Sequence, residues 1–154
     1  MNDENKRKHL EMIQNIVTRM GNNLFFLKGW SITIIAAIYA ILAKDISLKY
    51  MIFAAILLII LWILDGYFLH QERCFRDLYD AVRIKKEEDI DYSMNIKEYI
   101  KGKNTWLKSM FSKTLNIFYG SMLFLIIIMI VLSNIKINIS ITWNNQNNNQ
   151  IIQK

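Results

Sequence analysis

Three groups of residues in this chain have the types and spacing that chemistry requires. His70 and Cys74 stand four apart, so on a helix they share one face, as two ligands of a metal site or as a thiol beside a base. Tyr67, Arg73, Arg76, Tyr79 and Arg83 follow one another at short intervals and offer hydroxyl and guanidinium donors suited to a phosphate or a partner protein. Lys28 and Asp65 are the single charges of two long apolar stretches, where an acid and a base are expected to pair or to line a polar cavity.

The first group is thin. His9 is the other histidine and there is no second cysteine, which is too little for a structural zinc site and leaves no disulfide framework. A Cys74 nucleophile with a His70 base would need an orienting third group and a cleft, and nothing in the sequence indicates either. No Walker loop or dinucleotide glycine motif is present. The expectation is a chain with no enzymatic activity, no metal and no cofactor. For the second group, Glu72 and Arg76, Arg73 and Asp77, and Arg76 and Asp80 lie at four-residue spacing, which steadies a solvated helix by a few tenths of a kcal/mol per pair. Solvated charge is therefore the simpler reading of that face, with a cytoplasmic signalling partner or a nucleotide ligand as the sharper one.

The elements that must position these residues are set by hydropathy. The chain has 154 residues, 53% hydrophobic and 21% charged, and its apolar content is gathered into long segments. Crossing a hydrocarbon layer of about 30 Å takes about 20 apolar residues. Residues 24–43, 50–69 and 114–132 approach that length, and the third carries no charge. A soluble domain of this size has too little apolar sequence left to wrap three such helices. The predicted fold is an all-α membrane protein with three transmembrane helices and cytoplasmic helical extensions.

The short connection between the first two windows makes them an antiparallel hairpin. Lys28 and Asp65 each lie 18.5 positions from the midpoint between Ile46 and Ser47, so both reach one depth and an ion pair is predicted. The alternative is that Lys28 snorkels to the headgroups while Asp65 is solvated there. The apolar runs 29–43 and 50–64 hold 15 residues each, about 22 Å of helix, which places both charges slightly inside the boundary.

Orientation follows from the basic residues. The N-terminal segment carries four and the stretch between the second and third windows carries ten, against four on the opposite side. By the positive-inside rule the N-terminus and the middle segment are cytoplasmic and the C-terminus is external. This also accounts for the net charge of +6, so nucleic acid is not an expected partner. No secretory signal is visible ahead of the first span. The domain plan is then 1–23, a cytoplasmic amphipathic helix; 24–69, the hairpin; 70–113, a cytoplasmic stalk and linker; 114–132, the third span; and 133–154, an external polar tail.

Within 1–23, Leu10, Ile13, Ile16, Val17 and Met20 lie near one face, which suits either the inner leaflet or, more readily given the mixed charge signs, a second helix. Gly21-Asn22-Asn23 is expected to interrupt that helix, with an asparagine capping the first span. The second span is expected to continue as a stalk striped by Phe75, Leu78, Tyr79 and Val82. Residues 85–103 read as irregular, and Trp106, Met110 and Phe111 as an interfacial approach to the third span. Residues 135–143 alternate with period two, which predicts a short strand. The asparagine-rich 144–149 reads as disordered. Thr33, Ala36, Ala37 and Ala40 make a small-residue face on the first span, with Ala54 and Ala55 on the second and Gly120 and Ser121 on the third. Such residues allow close helix approach, and a homo-oligomer in the lipid bilayer is expected.

The stretches Lys8-His9-Leu10-Glu11, Arg19-Met20-Gly21-Asn22-Asn23, Lys28-Gly29-Trp30-Ser31, Leu64-Asp65-Gly66-Tyr67, Gln71-Glu72-Arg73 with Phe75-Arg76, Leu78-Tyr79, and Phe111-Ser112-Lys113-Thr114 resemble a family of small uncharacterised bacterial multi-span membrane proteins. The resemblance covers roughly residues 8 to 132. It carries a loose association with membrane effectors of antiviral defence, and so implies a protein that damages the inner membrane when a nucleotide signal or partner acts on it. The expectation is an oligomeric membrane-perturbing or pore-forming effector; the rival is a non-catalytic accessory or scaffolding subunit of a membrane complex.

Overall fold

A computed structural model describes residues 4–42 and 48–152; the expected hairpin turn falls largely outside the described residues. The described chain forms α1 (Glu4–Leu42), α2 (Leu48–Ile84), α3 (Trp106–Met110) and α4 (Lys113–Ile152), with single 3-10 turns at Glu87–Asp89, Lys97–Tyr99 and Gly102–Asn104. Three of these helices are long and apolar enough to cross a membrane.

Length explains the architecture. α1 has 39 residues and α2 has 37, about 58 and 55 Å of helix, nearly twice a hydrocarbon layer. Each therefore serves two layers. In the apolar layer Ile35 of α1, Ala54 and Leu58 of α2 and Leu115, Tyr119 and Ile126 of α4 form one core. At the other end Ile13 and Val17 of α1 pack on Leu78 and Val82 of α2, covered by Ile90 from the connection. These pairings run α1 and α2 antiparallel, and α4 crosses the apolar layer in the direction of α1. Outward from the first core, Phe53, Ile56, Ile60, Phe124 and Ile127 are exposed, as a lipid-facing surface requires and a water-facing one does not.

Three expectations are corrected. Gly21-Asn22-Asn23 does not break the first helix; α1 passes through it, so neither asparagine caps a span. With no proline in the chain every amide there can complete the ladder. A mid-helix glycine costs only about 1 kcal/mol, less than the packing gained on both sides of it. The predicted strand at 135–143 is helix, and so is the 144–149 stretch, because α4 runs on to Ile152. No strand exists among the described residues to pair with one, whereas a helix already nucleated extends by one hydrogen bond per residue fixed.

The connection from α2 to α4 folds back onto α2. α3 crosses it at Gly66, where an added Cβ would lie 2.8 Å from Met110 Cα. The Trp62 indole donates to Met110 O at 2.8 Å and the Trp106 indole to Ile63 O at 3.5 Å. Only glycine lets the backbones approach so closely. Gly66→Ala should lower the thermal midpoint of the detergent-solubilised protein by a few degrees, a loss of about 1–3 kcal/mol. Gly21→Ala, with nothing within 4 Å of its new methyl, should raise it by about 0.5–1 kcal/mol. An unfolding scan of both variants checks the close crossing and the unbroken α1 together.

Candidate functional site

Lys28 and Asp65 meet where the apolar layer ends. Lys28 Nζ donates to Asp65 Oδ2 at 2.7 Å and to Leu24 O at 3.4 Å, and lies 6.0 Å from the Phe118 ring centre. The Asp65 side chain is fully buried, while a quarter of the Lys28 side chain is exposed. The base thus reaches outward along its stem, and the acid does not. Around them, Ser31 is buried and donates to Leu27 O at 2.7 Å. The Tyr119 hydroxyl faces both Ser31 and Asp65 and donates to Leu61 O at 3.4 Å. The Tyr119 ring stacks on Trp62, centres 5.8 Å apart and 9° from parallel. All three long helices contribute to this one polar level.

Ser31 and Gly66 stand out in the sequence only within the stretches that carry the family resemblance, and Trp62 and Tyr119 do not stand out at all. Ser31 was within reach of such reasoning, since it stands three residues after Lys28 on the same helix face. Tyr119 and Trp62 carried no local signal, because their roles depend on how α4 lies across α2.

A second polar level lies further along α2. The backbone carbonyl of Asn104 contacts His70 Nδ1 and lies 3.9 Å from Cys74 Sγ. The buried Asn104 amide donates to Asp77 Oδ2 at 2.6 Å and to Tyr99 O at 3.2 Å. Arg73 donates to Lys103 O at 3.0 Å and to Ser109 Oγ at 3.3 Å. One face of the stalk therefore holds the backbone of the returning connection. His70 and Cys74 are part of that clasp, 3.7 Å apart. Burial, with Asp77 nearby, pushes the Cys74 thiol up, so it is protonated at neutral pH. Among the described residues no three His, Cys, Asp or Glu side chains converge as metal ligands.

The arginine face is distributed among internal contacts. Arg76 pairs with Glu72 as the spacing indicates. Arg73 serves the loop instead of Asp77, and Asp80 pairs with Arg83 at 3.2 Å instead of with Arg76. Tyr67 is exposed and Tyr79 packs on the core of Ile13, Val17, Leu78 and Val82, while Arg76 lines one recess with Arg73 and another with Tyr79. Of the small residues, Thr33, Ala36, Ala37 and Ala40 are exposed along α1, Ala54 is buried, Ala55 and Gly120 are half-buried, and Ser121 is exposed. Of these, Ala54 and Ala55 of α2 pack into the core shared with α1 and α4.

No family model, curated protein or solved structure matches this chain. Its functional reading rests on its own geometry.

Removing one partner of a buried ion pair leaves the other uncompensated, at a cost of about 3–5 kcal/mol. Lys28→Met and Asp65→Asn should each lower the unfolding midpoint in lipid nanodiscs, and the double variant should recover most of the loss. Additive losses in that cycle would mean that the two charges act independently.

Proposed function

We propose that this chain is a three-span inner-membrane protein that assembles with copies of itself and perturbs the membrane when its cytoplasmic helix layer is displaced. The observation that carries this reading is continuity. α1 and α2 run unbroken through both layers, with the Lys28–Asp65 pair at the junction. A partner that shifts the cytoplasmic helix pair moves the same rods that pack the spans, and parting the Lys28–Asp65 contact is the second arrangement that such a shift would favour. The exposed small-residue face of α1 supplies a surface for a neighbouring copy. The occupied arginines favour a protein partner over a nucleotide as the trigger, since Arg73, Arg76 and Arg83 already have acceptors. Antiviral defence is the setting that the family resemblance implies.

The orientation proposed from the basic residues places the ends of α1 and α2 that hold Lys6 and Lys85 in the cytoplasm. Native Cys74 is fully buried and is a poor reporter, so the thiol belongs elsewhere. In a Cys74→Ser background, Lys49→Cys should react with an impermeant maleimide in intact spheroplasts. Lys86→Cys should react only after the membrane is opened. Both positions are exposed, and the reverse pattern would overturn the topology.

Expression of the chain with its activating partner should depolarise cells within minutes of induction and arrest growth. Asp65→Asn should change the onset or extent of depolarisation without changing the amount of protein in the membrane. Unchanged potential under those conditions would remove the effector reading and leave the accessory subunit.

A further inference from the structure

The base-rich connection has a feature that topology alone does not require. Its last acid is Glu98, and from Tyr99 to Lys154 the sequence contains no Asp or Glu. Lys101, Lys103, Lys108 and Lys113 are all exposed, and none has an ion-pair partner among the described residues. Most other charges on the aqueous helices are matched: Lys8 with Glu4, Arg76 with Glu72 and Arg83 with Asp80. Lys6, Lys85 and Lys97 also have no ion-pair partner among the described residues, so what sets the segment around α3 apart is that no acid follows Glu98 in the chain.

The structure fixes where that segment sits. The contacts of Trp62, Ile63 and Gly66 with Trp106 and Met110 place α3 across α2 at the level of Asp65. The Arg73 bond to Lys103 O anchors the other end eight residues further along α2, about 12 Å. The four lysines lie in or near that band, beside the end of the apolar layer. Bilayer headgroup regions add roughly 5–7 Å beyond the hydrocarbon on each side. The same segment turns apolar surface outward: Trp106, Leu107 and Phe111 are 43%, 62% and 55% exposed. Aromatic rings with a polar edge next to unmatched lysines are the side chains that suit a bilayer interface.

Resting on the membrane reading above, we infer that α3 and its flanks form an interfacial collar that binds the headgroup phosphates of anionic phospholipids through Lys101, Lys103, Lys108 and Lys113. The glycerophosphate diester supplies the negative charge that the chain itself lacks there. The adjoining acyl chains meet Leu107 and Phe111. Because α3 crosses α2 at Gly66, one residue from Asp65, lipid held by the collar presses on the element that carries the buried acid. The collar thus links the composition of the leaflet to the packing of the hairpin.

The test uses the full-length protein in a neutral detergent, titrated with phosphatidylglycerol or phosphatidylcholine while the unfolding midpoint is followed. Phosphatidylglycerol should raise the midpoint at much lower concentration than phosphatidylcholine, and added salt should abolish the difference. A lysine near a charged surface is worth about a fivefold preference. Changing all four lysines to glutamine should therefore raise the half-saturating phosphatidylglycerol concentration on the order of tenfold or more. The midpoint without added lipid should be unchanged by that substitution. Lys85→Gln with Lys86→Gln, on exposed lysines far from α3, should leave the titration unchanged. Equal effects of the two lipids, an unaltered titration in the glutamine variant, or the same rise with glycerol phosphate alone would overturn the inference. If the quadruple variant does not fold, the four single substitutions and the salt dependence of the wild type decide the matter by the same criteria. A protein that stays in solution without detergent would instead remove the membrane reading itself.

Discussion

A carboxylate fully shielded from solvent requires a compensating charge, and here one lysine on a neighbouring helix supplies it. Loss of either partner strands the other in a poorly solvated place. That requirement fixes the register of α1 against α2. A slip of one residue turns a helix by about 100° and would carry Lys28 away from Asp65. Once the pair is set, Ile35 falls opposite Ala54 and Leu58 on one side, and Ile13 and Val17 opposite Leu78 and Val82 on the other. Two apolar cores with no residue in common are thereby aligned by one polar contact between them.

The rest of the molecule is arranged around that junction. α4 brings Tyr119 to it and stacks the ring on Trp62, which in turn holds Met110 through its indole. α3 lies against Gly66, next to the acid in sequence. Further along, His70, Arg73, Cys74 and Asp77 grip the loop that precedes α3. The two ends of α1 and α2 are thus joined twice, along the helices themselves and through the clasped connection.

Much of this arrangement is legible from residue order. Long uncharged runs define the apolar helices, the stripe of Phe75, Leu78, Tyr79 and Val82 marks the stalk of α2, and equal distance from a short turn brings Lys28 level with Asp65. Legibility fails where local pattern meets a tertiary or cooperative effect. Gly21-Asn22-Asn23 carries the composition of a break, yet α1 is held on both sides of it and stays whole. Residues 135–143 alternate like a strand, but a strand needs a neighbour and a continuing helix does not. Arg73 and Asp77 are spaced for each other, but the loop offers Arg73 a carbonyl and Asp77 an amide, and those bonds form instead. Neither the role of Asn104 nor that of Gly66 can be read from sequence, because the partner that gives each its role lies more than 20 positions away in the chain.

The central claim is a direct contact between one base and one acid, and it can be measured without perturbing either. Protein labelled with nitrogen-15 at the lysine side chains and carbon-13 at the aspartate carboxyls, reconstituted in lipid bilayers, permits a dipolar recoupling experiment between Nζ and the carboxyl carbon. The 2.7 Å contact predicts strong dephasing that disappears in Lys28→Met. Absence of dephasing in the wild-type protein, or its persistence in that variant, would contradict the account.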